Sequence, residues 1–178
     1  RDVAMAAGEP PVARGFPPSV FSDLPRLLER AGPGGSGKGS ITGLFSVLVD
    51  GDDHNDPIAD AIRGTLDGHI VLDRAIAEGG RYPAVDVVAS LSRLVDRALT
   101  PEQRRMVAEL RRLVARFEES RDLRALGGYR PGGDDELDRA LVVVPRLYKL
   151  VSQGPEDATS RDVFRDAAEC LRVERSTA

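Results

Sequence analysis

Apolar positions along this chain follow two rhythms, and the change between them falls near residue 97. In the first part, short helical stretches alternate with compact apolar runs. Residues 1–7 read as helix and stop at Gly8-Glu9-Pro10-Pro11, and a proline-rich loop continues through Arg14-Gly15-Phe16-Pro17-Pro18. Ser19 stands as the N-cap of a helix whose stripe is Val20, Leu24, Leu27 and Leu28, ending at Gly32. After a Gly/Ser loop to Gly39, the run Ile41 to Val49 predicts a strand buried on both faces, as in a parallel sheet. The acidic stretch Asp50 to Asp56 breaks it, and Pro57 opens a short helix with Ile58, Ile62 and Leu66. His69 to Leu72 predicts a second strand. Asp73 to Glu78 predicts a helix that Gly79-Gly80 ends, and Tyr82-Pro83-Ala84-Val85-Asp86 starts another element.

Beyond residue 97 the period is helical. Thr100-Pro101-Glu102-Gln103 is a strong helix start, with Thr at the cap, Pro at the first helical position and Gln three residues after the cap. Met106, Leu110, Leu113, Val114 and Phe117 hold the period until Gly127-Gly128. Asp134 caps a segment carrying Leu137, Leu141, Val144, Leu147 and Val151, with Pro145 inside it as an expected kink. Ser160 is placed as the cap of a last helix with Val163, Phe164, Ala167 and Leu171. The pattern therefore predicts an α/β part over 1–96 and a small helical bundle over 97–178. Val142-Val143-Val144 spreads apolar surface beyond one stripe, which fits either a tight bundle or a docking groove.

Composition narrows the class. With 41% hydrophobic and 30% charged residues the chain is globular. A net charge of -4 lacks the basic face of a general nucleic-acid binder, so no nucleic-acid partner is expected. No run reaches the roughly 18 apolar residues of a membrane span. The single Cys170 allows no internal disulfide and suits a reducing compartment as a structural thiol. The first residue is Arg1, and the opening reads as the tail of a helix that began earlier. A fragment of a longer protein is the expectation.

Two short motifs invite chemistry and fail on inspection. Gly32-Pro33-Gly34-Gly35-Ser36-Gly37-Lys38-Gly39 nearly matches the phosphate-binding loop pattern, yet Gly39 has no hydroxyl for Mg²⁺. The elements also come in the wrong order, helix before and strand after, where the motif needs strand, loop, helix. The run Asp52-Asp53-His54-Asn55-Asp56 lacks the spacing of a calcium loop, and two histidines, His54 and His69, supply no zinc pattern. No metal ligands are assigned.

Three segments together carry a resemblance. They are Gly8-Glu9-Pro10-Pro11 through Phe21, Gly39-Ser40-Ile41-Thr42 with Gly51 through Asp60, and Asp67-Gly68-His69-Ile70-Val71-Leu72 with Tyr82 through Asp86 and Ser90-Leu91-Ser92-Arg93. In order and spacing they resemble the flagellum-specific ATP synthase and type III secretion export ATPase family. Leu126 through Gly132 and Glu136 through Ala140 resemble that family's helical domain. The rotary ATPase β subunit shares parts of the pattern and is a weaker match. The resemblance implies the C-terminal half of a RecA-like P-loop ATPase core, with a parallel sheet, over 1–96, and an α-helical C-terminal domain over 97–178. The family's Walker A loop, Walker B aspartate and catalytic glutamate lie upstream of the matching segments. The chain alone is therefore expected to be inactive.

The resemblance also implies roles. Arg93 falls at the arginine-finger position, reaching a neighbouring subunit's ATP, where a guanidinium stabilises the transferring phosphate. A surface ion pair is the ordinary alternative for such an arginine. Tyr82 falls where the family stacks a tyrosine on adenine, with the other wall expected near Leu150 to Gln153; a core tyrosine is the ordinary alternative. Asp52, Asp53 and Asp56 fall on the loop that grips a central shaft in rotary relatives, and would line the pore of a homo-hexamer and face a coiled-coil stalk protein. A solvated loop is equally acidic. The implied cofactors are ATP and Mg²⁺, the latter held largely from upstream. Further implied partners are export gate membrane proteins and cargo–chaperone complexes, at a cytoplasmic site peripheral to the inner membrane. A flagellar rather than virulence system is favoured by similarity. A non-catalytic module docking to stalk, gate or full-length subunits is the competing reading. Unpaired apolar strand surface predicts poor solubility for the chain by itself.

Overall fold

In the computed structural model, which describes residues 1–49 and 56–172, the chain divides into two units, Arg1–His69 and Ile70–Ala178. The first unit holds α1 (Asp2–Ala6), α2 (Pro18–Leu28), the two-residue strands β1 (Gly32–Pro33) and β2 (Ser40–Ile41), and α3 (Pro57–Thr65). Helix α2 starts one residue earlier than its expected Ser19 cap, because Pro18 sits at the first helical position with its φ already set. The Glu9 carboxylate accepts from the Ser19 amide at 3.2 Å and satisfies part of that helix start. Helices α2 and α3 pack together and bury Leu28, Ala59 and Ile62.

The near-match to a phosphate loop is a β-hairpin. Strands β1 and β2 pair antiparallel, Gly32 with Ile41 and Pro33 with Ser40, and the Gly34 amide donates to the Gly39 carbonyl at 2.8 Å. Residues 34–39 are thus a turn between strands, and no helix follows them to aim amides at a phosphate.

The expected strand over 41–49 is corrected. Strand β2 ends at Ile41, residues 42–49 carry no regular structure, and Leu44 and Leu48 are 94% and 96% exposed. A strand exists only through its neighbour's hydrogen bonds, and among the described residues none runs beside this segment.

The second unit begins at β3 (Gly68–Leu72) and continues with α4 (Arg74–Glu78), β4 (Val85–Ser92), α5 (Val95–Ala98), α6 (Pro101–Glu119), α7 (Arg121–Ala125), α8 (Asp135–Val151) and α9 (Val163–Leu171). Strands β3 and β4 pair. The capping box at the start of α6 forms as expected: the Gln103 amide donates to the Thr100 hydroxyl at 3.2 Å and the Thr100 amide to the Gln103 side chain at 2.9 Å. Leu110, Leu113 and Val114 on α6 meet Ala140, Val143 and Val144 on α8 and Ala167 on α9. Each fully buried aliphatic side chain contributes about 1.5–3 kcal/mol relative to exposure.

The α8 stripe runs through Ala140 and Val143 in place of the expected Leu141, since small residues permit the closest approach to α6. Of the three valines, Val143 and Val144 are fully buried and Val142 is partly exposed, so the run belongs chiefly to a tight bundle. Helix α9 is capped by Asp162, whose carboxylate accepts from the Arg165 amide at 3.0 Å. Ser160 instead donates to Asp166 at 2.6 Å. Among the described residues no helix is long and apolar enough to cross a membrane.

Candidate functional site

The sequence-predicted residues Tyr82 and Arg93 flank β4, one before its start and one just past its end. The segment leading into it is pinned by short-range polar contacts. The Asp73 carboxylate caps α4 by accepting from the Ala75 and Ile76 amides, and the Asp73 amide donates to the Ala84 carbonyl at 2.9 Å. Gly80, with φ of +78°, reverses the chain after α4, a conformation that favours glycine. Arg81 then donates its amide to the Ile76 carbonyl at 3.2 Å. The Tyr82–Pro83 peptide is cis, and the Tyr82 ring is more than half exposed.

Further along, the Asp86 carboxylate accepts from the Val88 and Ala89 amides at 2.8 and 2.9 Å. The Ser90 hydroxyl donates to the Asp86 carbonyl and accepts from the Val71 amide at 3.0 Å, which ties β4 to β3. Arg93 follows, exposed, after Ser92. An eight-residue strand spans on the order of 25 Å, so one copy's Tyr82 and Arg93 stand at opposite ends of β4.

Helices α6 and α8 hold this strand and its leading loop from behind. Arg111 on α6 donates to the carbonyls of Ser90 at 2.9 Å and Val88 at 2.8 Å. The Gln153 amide, just past α8, donates to the Tyr82 carbonyl at 2.8 Å. This contact brings the end of the 150–153 segment beside Tyr82. Sequence reasoning missed Arg81, whose guanidinium lies 3.9 Å over the ring centroid of Tyr148 on α8. It also missed Glu118 on α6, which accepts from the Tyr148 hydroxyl at 2.5 Å. Burial, reinforced by that carboxylate, pushes the Tyr148 hydroxyl above its ordinary value and keeps it a donor. An open cleft of about 900 Å³ lies here, lined by Arg81, Asp86, Phe117, Glu118, Arg124 and Tyr148 among others. Arg124 lies 4.0 Å over Phe117.

Asp56 is occupied locally. Its carboxylate accepts from the Ile58 and Ala59 amides at 2.9 and 3.1 Å, capping α3, and pairs with Arg14 at 3.3 Å. Asp52 and Asp53 lie outside the described residues. Among the described residues no three His, Cys, Asp or Glu side chains stand together as a metal cluster. Burial raises the Cys170 thiol above its ordinary value, which suits a structural residue.

Comparison with known proteins places these features. Residues 1–92 match the model of the ATP synthase alpha/beta family, nucleotide-binding domain, and residues 99–167 match that of the T3SS EscN ATPase C-terminal domain. The chain is 60% identical over 173 residues to the flagellum-specific ATP synthase of Rhizobium meliloti (strain 1021), covering 97% of this chain and 37% of that protein. It thus spans little more than a third of that relative's length. The assembled ATPase EscN from the enteropathogenic E. coli type III secretion system superposes with a TM-score of 0.90 at 42% identity, covering 96% of this chain and 41% of that one. EscN in complex with its central stalk EscO gives 0.83 at 41% identity, with 96% and 40% covered.

Proposed function

The chain belongs to the ATP synthase alpha/beta family, in its flagellum-specific and type III secretion branch, and on that premise we propose that it forms the C-terminal part of an ATP-hydrolysing protein-export motor. The fold is that of the α/β RecA-like ATPases. Residues 1–96 complete the nucleotide core, with 41–49 as a strand of its parallel sheet, and 97–178 form the helical domain. One observation carries the proposal: the two matched regions follow each other in family order, and Tyr82 and Arg93 flank the same strand at opposite ends.

In a homo-hexameric ring each copy presents Tyr82 to the adenine of its own nucleotide and Arg93 to the phosphates bound by its neighbour. Stacking of a base on a tyrosine face contributes about 1–3 kcal/mol. Arginine reaching a transferring phosphoryl group accelerates the reaction about 10³–10⁵-fold by stabilising charge on its oxygens. Mg²⁺ neutralises the phosphates in such enzymes, but the donors described here form no ligand set for it, so its ligands belong to the part of the motor outside this chain. EscN is described with a central stalk. By analogy Asp52, Asp53 and Asp56 serve a basic coiled-coil stalk, with Asp56 also anchoring the loop end through its cap and Arg14. Export gate membrane proteins and cargo–chaperone complexes are the partners of the helical domain, at the cytoplasmic face of the inner membrane.

The test is a chimera that joins this chain behind the N-terminal remainder of the Rhizobium meliloti relative. Arg93→Lys should lower kcat by at least about 100-fold while ATP binding stays near its original level. Unchanged turnover removes Arg93 from catalysis.

A further inference from the structure

We propose that Tyr148 is a positioning residue for Tyr82: the C-terminal end of α8 clamps the loop that carries the Tyr82 ring, through Arg81 and Gln153. The inference rests on the adenine-stacking reading of Tyr82. That ring is mostly solvent-exposed, so its placement depends on what holds the backbone on either side. Both holds come from the end of α8. Arg81, the preceding residue, lies 3.9 Å over the Tyr148 ring, and the Tyr82 carbonyl accepts from the Gln153 amide at 2.8 Å. The Ser152 amide and hydroxyl both return to the Tyr148 carbonyl, at 3.0 and 2.7 Å, which closes the helix and sets Gln153 beside the loop.

Tyr148 is itself fixed from α6. Its hydroxyl donates to Glu118 at 2.5 Å, and its ring meets Phe117 edge to face at 6.1 Å. Glu118 is in turn paired with Arg121. A cation over a half-buried aromatic face is held more firmly than one over an exposed face, because less water competes for it. A loop ordered before the nucleotide arrives binds it without the cost of ordering. The clamp therefore acts on affinity for the base and leaves the phosphate chemistry alone.

The experiment compares Tyr148→Leu, Tyr148→Phe, Arg81→Gln and Tyr82→Ala in the ATPase chimera. Tyr148→Leu and Arg81→Gln should raise KM for ATP about 3- to 10-fold, with kcat within about twofold of the parent. Tyr148→Phe keeps the ring under Arg81 and should restore most of the affinity. Hydrogen exchange at the Gln153 amide should quicken in Tyr148→Leu and Arg81→Gln. If Tyr148→Leu does not fold, Arg81→Gln carries the test, since it truncates a side chain without opening the bundle. A raised KM in Tyr82→Ala beside an unchanged KM in Tyr148→Leu and Arg81→Gln overturns this inference alone. An unchanged KM in Tyr82→Ala overturns the stacking reading and this inference together.

Discussion

Arg111 offers the sharpest link between packing and chemistry. It reaches from α6 to β4 with two hydrogen bonds, at 2.9 Å to the Ser90 carbonyl and 2.8 Å to the Val88 carbonyl. Replacement by methionine keeps most of the stem and removes both. Hydrogen bonds to charged groups contribute about 1.5–3 kcal/mol each, but water replaces them readily at an exposed site, so about 1–2 kcal/mol in total is the expected loss. For a domain of roughly 100 residues that lowers the melting temperature by about 5–15 °C. The functional loss should be larger than the structural one. Arg93 is the residue after β4, and a displacement of about 1 Å in a reacting group costs on the order of 100-fold in rate. Arg111→Met in the chimera should therefore cut kcat at least about tenfold at a temperature where the protein remains folded, with KM for ATP little changed. Arg111→Lys should fall between, because an ammonium does not reproduce the two-pronged contact. Amide exchange along β4, read by mass spectrometry, reports the strand directly. Full turnover with unchanged exchange at β4 would refute the reasoning.

Other expectations concern the bundle. Leu113 is 1% exposed between α6 and α8, and Leu113→Ala should cost about 2–5 kcal/mol in urea unfolding; a loss under about 1 kcal/mol would mean the core is not as described. The Arg116 guanidinium, followed by the Leu137 amide, holds the Asp134 carboxyl below the usual carboxylate range. Its stabilising contribution is thus complete above about pH 4 and lost as pH falls through the lower native value. Asp134→Asn should flatten that acid-side loss in thermal melts, and identical acid profiles would argue against the pairing. Because burial raises the Cys170 thiol, iodoacetamide should modify it several-fold more slowly in the folded protein than in urea at pH 8, and equal rates would contradict that environment.

How far the sequence reaches differs along the chain. Beyond residue 97 the bundle is nearly readable, because its signals are local: the Thr100–Gln103 box forms, and Gly127, with φ of +72°, stops the helical region. The stripe on α8 shifts to Ala140 because alanine carries little hydrophobic signal, yet fits where two helices come closest. The run 41–49 misleads because an apolar segment becomes a strand only beside another strand, a fact that resides outside the segment. Tyr82 and Arg93 were legible through resemblance, while Arg81, Glu118 and Tyr148 were not. A cation over a ring pairs residues far apart in sequence and leaves no periodic trace.

The central claim is that this chain is the C-terminal part of an export ATPase with a trans-acting arginine. ATP hydrolysis by the chimera, beside the chain alone and the Arg93→Ala chimera, tests it most directly. Turnover in the parent chimera only, lost with Arg93→Ala, is the predicted result. Hydrolysis by the chain alone, or full activity without Arg93, would contradict it.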